Sequence, residues 1–256
     1  MIDPRAVVSP RAELAPDVTV GPYAIIGPDV VLGPGTVVGP HAVVNGPTRM
    51  GAANRVFQFA SIGEAPQDKK YKGEPTRLEI GDRNIFREYC TVNRGTTHGK
   101  GVTTIGNDGL FLTGSHIAHD SVIGDNVVFS NVASIAGHVE IGSWVQLGGL
   151  CAIHQFCKIG AHAFVGGGAI VSRDVPPYVT ITGNPAVPHG VNAEGLKRRG
   201  FTPEQIRHIR SAYRILYRME LKLDEAAERL ASLAREQPEL ALLVEFISRS
   251  TRSLTR

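Results

Sequence analysis

An apolar residue returns at every sixth position from the start of the chain: Ile2, Val8, Leu14, Val20, Ile26, Leu32, Val38, Val44, Met50, Val56 and Ile62. A period of six matches neither the turn of an α-helix nor the alternation of an ordinary strand. It matches a hexapeptide solenoid, in which each repeat supplies one short strand and one corner and buries its apolar side chain by stacking on neighbouring coils. The spacing resumes at Ile80, Phe86 and Val92, and again from Ile105 through Phe111, Ile117, Ile123, Phe129, Ile135, Ile141, Leu147, Ile153, Ile159 and Val165 to Val171.

The position two before each apolar residue is small, as at Ala6, Ala12, Val18, Ala24, Val30, Thr36, Ala42 and Ala60. Residues two apart on a strand share a face, so both point inward. Gly-Pro pairs such as Gly21-Pro22, Gly27-Pro28, Gly33-Pro34 and Gly39-Pro40 follow, where a corner needs preset or unusual φ. Three strands and three corners close a triangular coil of about 18 residues. The count leaves the hand of the coil open, since parallel crossovers as a rule are right-handed.

Two stretches lack the repeat, at about 63–79 and 93–104, and read as loops projecting from a corner, where solenoids commonly bind ligands. The repeat domain is expected to span 1–190. Residues 191–256 change character and are expected to form a small helical domain. Thr202-Pro203-Glu204-Gln205 is a helix start, with Thr as N-cap and Gln placed for a capping box. Its helix would bury Ile206, Ile209, Tyr213, Leu216 and Tyr217 and carry Arg207, Arg210, Arg214 and Arg218 on the opposite face. A second helix is expected from Asp224 to about Glu236, and a third from Pro238.

The net charge of +3 is uneven, with the basic surplus in the tail. No run of 18 apolar residues and no basic-then-apolar leader is present, so a cytoplasmic location without stable membrane insertion is the expectation. The three cysteines, Cys90, Cys151 and Cys157, form no CxxC pair and fall on inward positions, which makes them core filler.

Residues one coil apart stack, so the period alone draws His116, His119, His138 and His154 towards one edge within three coils. A histidine is the natural general base for a hydroxyl nucleophile, and Asp120 could orient the His119 ring. Gly137 stands one coil on from His119, where a bare backbone N–H could approach a developing oxyanion. Isolated corner histidines such as His41 and His162 carry no such meaning. Clustered imidazoles also suit a zinc site, although no strong metal signature is present and none is assigned. A zinc hydratase, an N-acyltransferase on a related sugar and a solenoid without catalysis are the competing readings.

Several strings are more specific than the hexads: Gln58-Phe59-Ala60-Ser61-Ile62-Gly63-Glu64, Gly73-Glu74-Pro75-Thr76-Arg77, His116-Ile117-Ala118-His119-Asp120, His154-Gln155-Phe156-Cys157 and Glu194-Gly195-Leu196-Lys197-Arg198-Arg199-Gly200-Phe201. With them the chain resembles, over nearly its whole length, the UDP-N-acetylglucosamine O-acyltransferase family that begins lipid A synthesis. The resemblance implies a mainly β protein: a left-handed parallel β-helix of hexapeptide repeats followed by a small α-helical domain, assembled as a homotrimer with active sites between subunits. It implies transfer of an R-3-hydroxyacyl group from acyl carrier protein, on its phosphopantetheine arm and with no other cofactor, to the 3-hydroxyl of UDP-N-acetylglucosamine. By the same resemblance His119 is the base, Asp120 its partner and Gly137 an oxyanion donor. Gln67, Asp68, Lys70, His138 and Gln155 would hold the sugar and diphosphate. His116, His154, Asn192, Glu194, Arg198 and Arg199 would serve the nucleotide or the carrier's arm. Gly167 would set the depth of the acyl groove, its missing side chain favouring a longer chain. No nucleic-acid partner is expected.

Overall fold

The structure, a computed structural model, describes residues 1–250 and 252–256. Among them the short strands stack into three walls of a triangular prism, of nine, eight and ten strands. Wall one begins with Val7–Val8, wall two with Glu13–Leu14 and wall three with Thr19–Val20, and the chain visits them in that rotation throughout. It is a left-handed β-helix, the fold the resemblance implies.

Each two-residue strand turns its first side chain out and its second in. Ile25 is 42% exposed and Ile26 1%. The repeated apolar positions and their small partners merge into one continuous core, from Val18 and Val20 to Val179 and Ile181. Cys90, Cys151 and Cys157 are free and buried in it. The first coil is the exception: no described residue stacks beyond it, and Ile2 is 50% exposed.

The third residue after most inward apolar residues sits in the left-handed region of backbone space. Tyr23, His41, Phe59, Asp120, Val132, His138, Phe156 and His162 all have φ between 56° and 65°. A β-branched residue such as Val132 strongly disfavours that region. Stacked corners above and below hold it there, and the same position therefore accepts almost any side chain. This makes the corner a fixed rack on which chemistry can be hung.

Both insertions leave from the edge between walls one and two, and both are shorter than the sequence breaks. Strand Ser61–Glu64 runs into the first break and Arg77–Ile80 emerges from it, so the excursion is 65–76 rather than 63–79. Strands Thr91–Asn93 and Val102–Ile105 likewise narrow the second to 94–101 rather than 93–104. Backbone pairing with neighbouring coils captures the flanks even where the apolar period lapses. Lateral partners such as Asn54 and Asn84 are 30 residues apart across the first insertion. Asn84 and Gly109 are 25 apart across the second.

The prism is closed by an antiparallel hairpin of Val179–Thr182 and Val187–Val191, which carries the sheet one residue past the expected boundary at 190. A short helix not foreseen from the sequence, α1 (Ala193–Arg198), follows. Helix α2 (Pro203–Arg218) has the expected capping box, with Thr202 and Gln205 exchanging hydrogen bonds. Its four arginines are exposed. Helix α3 (Leu223–Leu233) ends before Glu236, and Pro238 opens a 3₁₀ turn that leads into α4 (Ala241–Arg249). No helix among the described residues is long and apolar enough to cross a membrane.

Candidate active site

The edge between walls one and two carries His119 and Asp120, then Gly137 and His138 one coil on, then Gln155 and Phe156 on the next. His119 and Gly137 occupy the same corner position, as do Asp120, His138 and Phe156. The His119 and His138 rings meet edge to face at 5.1 Å, and His138 stacks on Phe156 at 4.5 Å.

Asp120 is completely buried. Its carboxylate accepts the Thr96 N–H at 3.0 Å and hydroxyl at 2.6 Å, the Lys100 N–H at 2.9 Å and the Gly101 N–H at 3.2 Å. All of these come from the second insertion. The remaining partner is His119, whose Nδ1 lies 2.9 Å from Asp120 Oδ2. Burial opposes the charged carboxylate, but the hydrogen bonds from His119 and Thr96 prevail and hold its pKa down at about 2. An ionised carboxylate can only accept, so Nδ1 carries the ring proton and Nε2 is left with its lone pair.

That Nε2 abuts Gly137. A Cβ on residue 137 would stand 2.5 Å from His119 Cε1 and 2.7 Å from Nε2, so only glycine leaves the ring its place. Among the described residues the Gly137 N–H donates to no protein acceptor, although the neighbouring His138 N–H binds His119 O at 2.9 Å. Burial lowers the pKa of both His138 and His116, which favours neutral rings.

Two clefts meet at His119. The first, of about 740 Å³, is lined by Gln67, Asp68 and Lys70 of the first insertion, Lys100 of the second, and His119, His138 and Gln155. The second, of about 370 Å³, runs along wall one between His116, Ser134, Ala136, Gly137 and Ala152. His116 is fixed by a 2.7 Å hydrogen bond between its Nδ1 and Thr91 Oγ1. The first insertion is tied down by Arg94, which donates to Gly63 O at 2.6 Å and Tyr71 Oη at 3.3 Å. His154 stands exposed at the end of this edge.

Asn192, Glu194, Arg198 and Arg199 are elsewhere. They line a cleft of about 620 Å³ on wall three with Trp144, Gln146 and Phe164. Asn192 caps α1, accepting the Gly195 N–H at 3.2 Å. Arg199 lies over the Trp144 ring at 5.3 Å and 3.2 Å from His162 Nδ1. Burial, helped by Arg199, lowers the pKa of His162 to about 4. Gly167 is on a third edge, between walls three and one, with Gly149 O 3.3 Å from where its Cβ would be. Within one chain, then, the expected site residues form two separate groups, the paired clefts at His119 and the wall-three cleft, with one outlying glycine.

His119, Asp120 and His138 offer ligand atoms within 4.8 Å of one another, as a divalent ion would require. Asp120, however, already satisfies five donors, and the nearest His119 nitrogen is bound to it. The donor set is committed to protein partners and fits a metal poorly.

Sequence reading missed Thr96, Arg94, Trp144 and Phe156. The last two could have been found, because each lies 18 residues from a histidine at the same corner position. Thr96 and Arg94 could not, since loop conformation decides what they touch.

The chain is similar to known proteins over nearly its whole length. Residues 174–255 match the family described as UDP N-acetylglucosamine O-acyltransferase, domain 2, and residues 11–46 match the bacterial transferase hexapeptide family. The acyl-[acyl-carrier-protein]–UDP-N-acetylglucosamine O-acyltransferase of Thiobacillus denitrificans is 52% identical over 203 residues, 79% of either chain. The solved structure of LpxA from Acinetobacter baumannii is 44% identical, with a TM-score of 0.97 over 100% of this chain and 99% of that one. The UDP-N-acetylglucosamine O-acyltransferase of Moraxella catarrhalis is 43% identical, with a TM-score of 0.98 over 100% and 99%.

Proposed function

The chain belongs to the acyl-[acyl-carrier-protein]–UDP-N-acetylglucosamine O-acyltransferase family, which performs the first step of lipid A synthesis, and from that premise we propose that His119 is the general base of the transfer. The observation that carries the proposal is the 2.9 Å contact of His119 Nδ1 with the buried Asp120 carboxylate, which leaves Nε2 as the free base.

The sugar 3-hydroxyl gives its proton to Nε2 while its oxygen attacks the thioester carbonyl of an R-3-hydroxyacyl group on the carrier's arm. The tetrahedral oxyanion takes a hydrogen bond from the Gly137 N–H. Collapse breaks the carbon–sulfur bond, and the His119 proton passes to the departing thiolate. Asp120 stays ionised and stabilises the intervening imidazolium. Gln67, Asp68, Lys70, His138 and Gln155 line the polar cleft suited to the sugar and diphosphate. The small residues of the wall-one groove leave room for the acyl chain. No covalent nucleophile is required, and the cysteines face the core.

A homotrimer would bring the clefts at His119 against the wall-three cleft of a neighbouring copy. Wall two turns Glu13, Arg49, Glu79, Glu140 and Lys158 to solvent, whereas wall one turns out Val7, Ile25, Val43, Ser61 and Ala152. Nearly uncharged walls one and three suit heterologous contacts that close as a ring. One copy's His119 edge would then face its neighbour's Arg198, Arg199 and Gly167. The exposed Arg207, Arg210, Arg214 and Arg218 suit an acidic carrier protein and would speed its encounter at low salt.

The decisive test incubates the protein with UDP-N-acetylglucosamine and a panel of hydroxyacyl carrier proteins and reads product masses. A mass increase of one hydroxyacyl group on the sugar nucleotide is expected. Absence of that product with every donor would refute the reading.

A further inference from the structure

The chain's last residues return to the site edge. Asp174, completely buried, accepts the Lys158 N–H at 2.8 Å and the Ser250 hydroxyl at 2.6 Å. Its own N–H donates to Ser253 O at 3.3 Å, and its carbonyl accepts the Thr255 N–H at 2.8 Å. Ser250 and Ser253 are thus pinned to the prism, and Arg252 between them reaches the preceding coil of the same edge.

Arg252 Nη1 donates to Gln155 O at 2.5 Å and lies 3.1 Å from His154 Nδ1. A guanidinium has no lone pair with which to accept, so Nδ1 must be the acceptor and the ring proton must sit on Nε2. His154 Nδ1 is also 3.1 Å from Gln155 O. Two acceptors this close are compatible because the two hydrogens of one Nη1 serve both. Gln155 in turn lines the cleft with His119 and His138.

We propose that Arg252 is a positioning residue of the transfer site. It holds His154 as the Nε2–H tautomer, so that the ring presents a donor to an oxygen of a bound substrate, and it fixes the backbone beneath Gln155. The inference rests on the acyl-transfer reading of the cleft, and it makes the C-terminal tail part of the site rather than an appendage.

The test pairs a spectroscopic readout with kinetics. In protein carrying ¹⁵N-labelled histidine, His154 is expected as the Nε2–H form, and Arg252→Gln should turn it into a tautomer mixture. The same variant should raise KM for one substrate about tenfold with kcat within about twofold, the size of one lost charge-assisted hydrogen bond. Which KM rises identifies whether the sugar nucleotide or the acyl carrier meets His154. Arg252→Lys, which keeps a charged donor, should recover most of the loss. An unchanged His154 tautomer in Arg252→Gln, or kcat falling alongside the melting temperature with KM unmoved, would overturn the proposal. Wild-type protein that transfers nothing, while His154 still responds to Arg252, would instead overturn the reaction assignment.

Discussion

Two edges of the prism hang aromatic rings on the same corner position and use them differently. Between walls three and one, Tyr23, His41, Phe59 and Tyr89 stack at 5.1 to 5.5 Å, and the three aromatic residues are each about half exposed. Between walls one and two, His138 stacks on Phe156 in the same manner, but beside it His119 rests on a buried carboxylate. Backbone geometry is common to both edges, with φ of 56° at His41 and 62° at His138. What distinguishes them is the inserted segment 94–101, which buries Asp120 and supplies its donors. A histidine on a ladder is a surface feature. A histidine over a pinned, ionised carboxylate is equipped to be the base proposed above.

The comparison breaks first at His119. His119→Ala should lower kcat about a thousandfold with circular dichroism and melting temperature near wild type, because the ring leaves a part-exposed corner. Next comes Gly137→Ala, whose Cβ would overlap the imidazole. Displacing the ring should cost about a hundredfold in kcat, measured at saturating substrate, with the fold retained.

Asp120 sharpens the contrast through pH. Its folded pKa of about 2 lies below its ordinary value of 3.8, so its contribution to stability is present above about pH 4 and is lost as pH falls through 2. Between pH 6 and pH 2, denaturant titrations should show the wild type losing about 2 kcal/mol more than Asp120→Asn. Equal acid sensitivity in both would mean that the carboxylate is not held ionised by its donors.

Gly167→Met should move donor preference to shorter hydroxyacyl chains by about tenfold in kcat/KM, read with a carrier panel. Unchanged selectivity would remove this residue from the acyl groove. Smallest of all, His41→Ala should leave kcat/KM within about twofold and cost about 1 kcal/mol in stacking. A large loss there would mean that the two edges are not distinct in kind.

The fold was legible in the sequence because a six-residue period has few physical solutions, and nearly every expected inward residue is buried. The gathering of His119, Gly137 and His138 was legible for the same reason, since register in a solenoid is counting. What counting could not reach was anything outside the repeat. Both insertions begin later than the apolar period alone indicates, because backbone pairing extends the strands Ser61–Glu64 and Thr91–Asn93 past the last apolar signal. Thr96 became visible only once the loop folded back onto Asp120. Arg252 meets Gln155 across 97 residues of chain. The distance of Arg198 and Arg199 from His119 was hidden for another reason: a linear pattern does not say which wall a helix following the prism will cover.

Asp120 joins two events that are separate in most proteins. The carboxylate under the proposed base is also the anchor on which segment 94–101 closes, so the hydrogen bonds that complete that piece of folding are those that hold the partner of His119 in place. A molecule in which this segment has come away would leave the Asp120 carboxylate without its loop donors, and His119 over a partner no longer buried or held in place. If His119 is the base proposed above, chains with this loop open should be inactive, and turnover should report whether the loop has closed.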